Sequence, residues 1–97
     1  MAKTLHVIGR IRAKAGKEEA LKSALNALIA PSRRELACYQ YDLLQSMTDP
    51  RDFCVVERWE QQQALDRHAA SEHVKRAGEA IVDLVEAPPD IQRFELV

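Results

Sequence analysis

The spacing of apolar residues in this chain switches repeatedly between two periods, and the order of the switches leaves few folds open. Leu5–Arg12 places Leu5, Val7, Gly9 and Ile11 on one side and His6, Ile8, Arg10 and Arg12 on the other, the period-two pattern of a strand. After the turn signal Ala15-Gly16-Lys17, apolar residues recur at Leu21, Ala24, Leu25, Leu28 and Ile29, with Lys22 and Asn26 opposite, which predicts an amphipathic helix. Pro31 removes an amide donor and biases Ala30 away from helical angles, so that helix is expected to stop or kink there, with one more turn possible through Ser32-Arg33-Arg34-Glu35. Cys38–Gln45 and Phe53–Trp59 are rich in strand formers, and Thr48-Asp49-Pro50-Arg51-Asp52 between them is turn chemistry, so the pair predicts an antiparallel hairpin. Gln61 to Ala70 reads as helix, with Ala64, Leu65 and His68 on one side. Ser71 suits the N-cap of a further helix carrying Val74, Ala77, Ile81 and Val85, closed by Pro88-Pro89. Ile91–Val97 alternates again and predicts a last strand.

The order β-α-β-β-α-β, with the second helical region in two pieces, is that of a ferredoxin-like α+β fold, an antiparallel sheet with its helices on one face. At 97 residues, a single domain spanning 1–97 is expected. Apolar residues stand at both parities, Val55 beside Val56 and Leu5 and Val7 beside Ile8, so both sheet faces need cover and a homodimer is expected. With 14 Lys+Arg against 15 Asp+Glu, the net charge of -1 offers no general attraction to phosphate backbones, and nucleic acid is not an expected partner. No apolar run approaches the ~20 residues of a membrane span and no signal-peptide core follows Met1, so no membrane partner and a cytoplasmic location are expected. Cys38 and Cys54 lack CxxC spacing and read as buried thiols.

Chemistry has few candidates. His6, His68 and His73 alone have an unperturbed pKa near neutrality, which suits taking a proton from a phenol or quinol. His68 is read as a cavity base or substrate-orienting donor, against a plain packing role. His6 is the weaker candidate for substrate contact, since it could instead cap a dimer surface. Five residues put His68 and His73 about 140° apart on a continuous helix, so joint metal ligation requires the break near Ser71, and no metal site is expected. Trp59, in phase with Phe53, Val55 and Glu57, is either core or a cavity wall for a planar substrate. Glu57 is costly to bury alone, and pairing with Arg10 or Arg93 is the preferred reading over a cavity carboxylate with a raised pKa. Tyr41 offers a hydroxyl that could orient a substrate oxygen. The sequence carries no Gly-rich phosphate loop, GxGxxG fingerprint or metal-ligand cluster, so no cofactor is expected.

The opening strand with Lys14-Ala15-Gly16-Lys17-Glu18-Glu19, the segment Pro31-Ser32-Arg33-Arg34-Glu35 before Cys38, the run Val56-Glu57-Arg58-Trp59-Glu60, and Leu65-Asp66-Arg67-His68-Ala69-Ala70-Ser71-Glu72-His73 together resemble the antibiotic biosynthesis monooxygenase family. The resemblance implies a dimeric α+β barrel in which each subunit holds a cavity between sheet and helices. It places His73 in a histidine-bearing region of the family. Some members oxygenate quinols or polycyclic aromatics without a cofactor, while others degrade heme, isomerise a sugar phosphate or have no assigned reaction. Two departures stand out. The usual Glu-Pro-Gly-Cys lead into the second strand is here Glu35-Leu36-Ala37-Cys38, so the turn is made without its proline and glycine. The heme-degrading branch's ligand histidine and its first-strand asparagine fall at Gly78 and Gly9, which disfavours heme although Trp59 matches. The expected activity is thus cofactor-independent oxygenation of a small aromatic substrate, a quinol or polycyclic phenol, by molecular oxygen. The alternatives are a non-redox isomerase of a small polar metabolite, or a non-catalytic binding or stress-response module on the same scaffold.

Overall fold

The alternation read from the sequence is realised as a four-stranded antiparallel sheet in the computed structural model, which describes residues 3–97. The elements are β1 (Leu5–Arg12), α1 (Glu18–Asn26), α2 (Ile29–Arg33), β2 (Cys38–Gln45), β3 (Asp52–Trp59), α3 (Gln62–Ala69), α4 (Glu72–Ile81) and β4 (Asp90–Phe94). The strands lie in the order β2-β3-β1-β4, so the fold is ferredoxin-like α+β. β1 and β3 pair with Val7 opposite Glu57 and Gly9 opposite Val55, and β2 and β3 pair with Tyr41 opposite Glu57. This register gathers Val7, Ile11, Tyr41, Phe53, Val55, Glu57 and Trp59 on one buried face, where Leu21, Leu25, Leu28, Ala64, Ala77 and Ile81 of the helical side complete the core. Residues of the other parity form the outer face, where Ile8, Leu44 and Phe94 are exposed. No helix of the described residues is long and apolar enough to cross a membrane.

Several boundaries differ from those expected. The first helical region breaks at Ala27–Leu28, ahead of the proline, and Pro31 lies inside α2. A proline in a first turn forfeits nothing, because those amides have no partner within the helix, and the chain therefore breaks where Pro31 becomes tolerable. Val85 does not continue α4. It forms an isolated antiparallel bridge to Ala13, and the flanking Lys14 N–H and Glu86 N–H bond to Leu84 O and Arg12 O. β4 ends at Phe94, short of the expected Val97. Both thiols are free and only half-buried.

The turn without its usual glycine is resolved by strain. Ala37 has φ of 66°, a left-handed conformation, while Cys38 N–H bonds Glu35 O and Glu60 N–H bonds Ala37 O. The left-handed region costs a residue with a Cβ about 1–2 kcal/mol, more than the entropy that glycine forfeits on ordering, ~0.5–1 kcal/mol. Ala37→Gly should therefore stabilise the protein by about 0.5–1 kcal/mol, read as a melting temperature several degrees higher. A lower melting temperature would mean that the Ala37 methyl contributes more by packing than its backbone loses.

Candidate active site

A cavity of about 320 Å³ lies between the sheet and the helices. Its walls are Ile11, Leu25, Leu28 and Val55 from the core, Leu65 and Ala69 of α3, Val74, Ala77, Gly78 and Ile81 of α4, and Pro89 and Ile91 at the approach to and start of β4. Gly78 presents no side chain, and nothing lies within 4 Å of a Cβ built there, so a glycine inside α4 widens the space. Pro89 and Ile91 are delivered by the segment after α4, which is tied down where Arg12 pairs with Asp49, Asp52 and Glu86 and Arg51 pairs with Glu86. Only three polar side chains reach this apolar lining: Tyr41, Glu57 and His68.

Glu57 is 5% exposed and pairs with no arginine. Its Oε1 accepts the Trp59 indole N–H at 2.8 Å and stands 3.9 Å from His68 Nε2. Burial pushes the Glu57 carboxyl above its ordinary range, opposed by the Trp59 hydrogen bond and by the charge of His68. The expected arginine pairing fails by parity for Arg10 and by position for Arg93, which stands opposite Val7 on the edge strand and is engaged elsewhere. Arg10 projects from the opposite face to Val7, and Arg93, on the sheet edge, donates to Gln62 at 2.8 Å. Tyr41, 3% exposed, lies with its ring centroid 5.4 Å from that of His68, and burial beside Glu57 raises its phenol pKa.

His68 is 7% exposed and stands between two carboxylates. Nδ1 lies 2.6 Å from Glu35 Oε2, while Nε2 is turned to Glu57. That short contact assigns the proton of a neutral ring to Nδ1, leaving the Nε2 lone pair as an acceptor on the Glu57 side. Glu35, in the strained turn before β2, is a site residue that the sequence pattern does not single out. The arrangement is a carboxylate–imidazole pair in which one partner fixes the tautomer of the other, with a second carboxylate beside the free nitrogen. Such a group can take a proton from a bound acid and hold the resulting imidazolium.

The remaining candidates fall elsewhere. Trp59 is fully buried and is not part of the cavity lining; it lies behind the wall, its ring centroid 4.8 Å from that of His68 and its N–H committed to Glu57. The cavity-wall reading of Trp59 is therefore corrected: it acts on the lining only through Glu57 and His68. His6 projects from the outer sheet face, with Arg58 and Phe94 as its cross-strand neighbours, so it cannot reach the cavity. His73 is also outside the lining; its Nε2 lies 3.5 Å from Glu35 Oε1 and 3.2 Å from Ser71 Oγ. The break required for His68 and His73 to meet is present. Ser71 caps α4, accepting from Val74 N–H, and donates back to His68 O at 2.6 Å, so the two rings stand 5.9 Å apart and face one carboxylate.

Residues 4–80 match the family model described as antibiotic biosynthesis monooxygenase. Among curated sequences, the chain is similar to a Mycobacterium tuberculosis protein named "Putative monooxygenase Rv0793", 32% identical over 91% of this chain and 86% of the relative. It is also 30% identical to "Putative monooxygenase YcnE" of Bacillus subtilis, over 89% of this chain and 90% of that one. Among solved structures, PA3566 from Pseudomonas aeruginosa superposes with a TM-score of 0.94 at 37% identity, over 100% of this chain and 97% of the other.

Proposed function

The chain belongs to the antibiotic biosynthesis monooxygenase family, and from that premise we propose that it oxygenates a planar phenol or quinol with molecular oxygen, using no flavin, heme or metal in the reaction. The observation that carries this reading is the make-up of the cavity: an apolar chamber with one acid–base pair, Glu57 and His68, and one phenol, Tyr41. A polar metabolite undergoing isomerisation would need more hydrogen-bonding groups than three to hold it. A binding module without turnover would have no use for a buried carboxylate set against an imidazole with no arginine to neutralise it.

In the proposed reaction His68 Nε2 takes the phenolic proton, and Glu57 on one side and Glu35 on the other stabilise the imidazolium that forms. The phenolate is electron-rich enough to reduce oxygen itself. One oxygen atom enters the ring and the other leaves as water, and the ring ends at the quinone level (quinol + O2 → hydroxyquinone + water), so the substrate supplies all four electrons. The protein's share is the base, the orientation of the ring and the exclusion of water by the aliphatic walls. We further propose that it works as a homodimer in the cytoplasm; the exposed Ile8, Leu44 and Phe94 on the outer sheet face support a second copy there.

The test is oxygen uptake by purified, chelator-treated protein against a panel of reduced quinones and polycyclic phenols, corrected for autoxidation. Protein-dependent uptake yielding a product with one added oxygen is expected for at least one compound. No uptake across the panel would withdraw the oxygenase reading and favour proton shuttling on a non-redox substrate by the same pair.

A further inference from the structure

We propose that Glu35, His68 and His73 form a binding site for a divalent transition-metal ion, placed behind the substrate cavity. Each ligand comes from a different element: Glu35 from the turn before β2, His68 from the end of α3, His73 from the first turn of α4. One ligand atom from each residue can be chosen so that all lie within 4.8 Å of one another, and this is the group of that kind among the described residues. A tetrahedral ion with bonds of ~2.0–2.1 Å holds its ligand atoms roughly 3.3 Å apart, so side-chain adjustments of about an ångström close the shell.

The geometry is directed as well as close. The two oxygens of Glu35 face two different imidazoles, Oε2 toward His68 Nδ1 at 2.6 Å and Oε1 toward His73 Nε2 at 3.5 Å. Ser71 fixes the helix break that turns both rings to that carboxylate. Two imidazoles and one carboxylate are the donor set of zinc, iron, cobalt or nickel rather than calcium or magnesium. Glu35 and His73 retain partial side-chain exposure, 18% and 24%, which gives an ion a way in and leaves a position open to solvent. Neither Glu35 nor His73 lines the cavity, so the ion would not touch a substrate. The ion and the Nδ1 proton of His68 compete for one lone pair, and an occupied site excludes the Nδ1-protonated tautomer.

Calorimetric titration of zinc into chelator-stripped protein tests this without any turnover assay. One zinc ion per chain is expected. Glu35→Gln and His73→Ala, each checked for native circular dichroism, should weaken binding by more than about tenfold, the scale lost even when only a group orienting a ligand is removed. His6→Ala and Cys38→Ser should bind as the parent does. Absence of stoichiometric binding, or undiminished binding in both Glu35→Gln and His73→Ala, overturns the proposal, as does loss confined to His6→Ala or Cys38→Ser. Failure here would leave the cavity reaction untouched, and failure of oxygen uptake would leave the metal site untouched.

Discussion

Glu57→Gln should lower turnover by about 10²–10³-fold, the range lost when one group that stabilises developing charge is removed, while leaving the protein at least as stable as before. The substitution keeps the size of the side chain and an oxygen to accept the Trp59 N–H, removes the charge, and offers an amide N–H to His68 Nε2. Burial raises the Glu57 carboxyl above its ordinary value of 4.5. A carboxyl with a raised folded-state pKa holds its proton more tightly when folded than when unfolded. The contribution of Glu57 to stability is therefore most favourable below pH 4.5 and declines as pH climbs from that value through the folded-state pKa. The substituted amide has no proton to lose. The melting-temperature difference between Glu57→Gln and the parent should thus widen in favour of the variant as pH rises through that window. Thermal melts across pH, beside initial oxygen-uptake rates, read both effects. Turnover within about threefold of the parent would remove Glu57 from the chemistry, and a destabilised variant at neutral pH would show that the carboxylate is stabilised by contacts its burial conceals.

Much of this site is open to sequence reasoning because strand parity is a strong constraint. Once Val7 and Ile11 are taken as core, Gly9 follows, and His6 and Arg10 must face the other way; the same step excludes Arg10 as the partner of Glu57. Parity also groups Glu57 with Phe53, Val55 and Trp59, as found. It reports the face of a side chain and not its depth, which is why Trp59 can be mistaken for a cavity wall. The helix ends are harder. Pro31 draws attention as a breaker, whereas the actual break lies ahead of it at Ala27–Leu28, which carries no breaker residue and leaves the proline in the first turn of α2.

Glu35 is the residue that local pattern cannot supply. It lies 33 positions from His68, and only the packing of the α2–β2 turn against α3 brings the two within 2.6 Å. A weak signal does exist: the missing Pro-Gly before Cys38 marks a turn that keeps a left-handed residue in spite of its cost, as Ala37 does. Glu35 stands two residues before that strained position, in the same turn. The family resemblance, beside the near-neutral pKa of an imidazole, points to His73 as part of the site, and the structure puts it outside the cavity lining, on the other oxygen of the carboxylate that His68 faces.

Trp59→Phe should act on turnover and stability through a single hydrogen bond. The ring replacement leaves most of the packing but deletes the donor to Glu57, which then keeps His68 Nε2 at 3.9 Å beside it. An unsatisfied buried carboxylate costs about 1–3 kcal/mol, which for a chain of this size lowers the melting temperature by roughly 4–8 °C for each kcal/mol. Trp59→Ala would add the loss of a fully buried aromatic, about 3–5 kcal/mol, against a total stability of only ~5–15 kcal/mol, so the phenylalanine variant is the informative one. Without the indole N–H, the Glu57 carboxyl should rise further, because that hydrogen bond is the largest influence holding it down. The ionised Glu57 that stabilises the His68 imidazolium then survives only at higher pH. The acidic limb of the rate profile should accordingly move to higher pH in Trp59→Phe, with the rate at the plateau recovering toward the parent. Combined with Glu57→Gln, the loss of stability should shrink, since a neutral amide misses the donor less than a carboxylate does. A variant that loses stability with no displacement of the acidic limb would make Trp59 a packing residue alone.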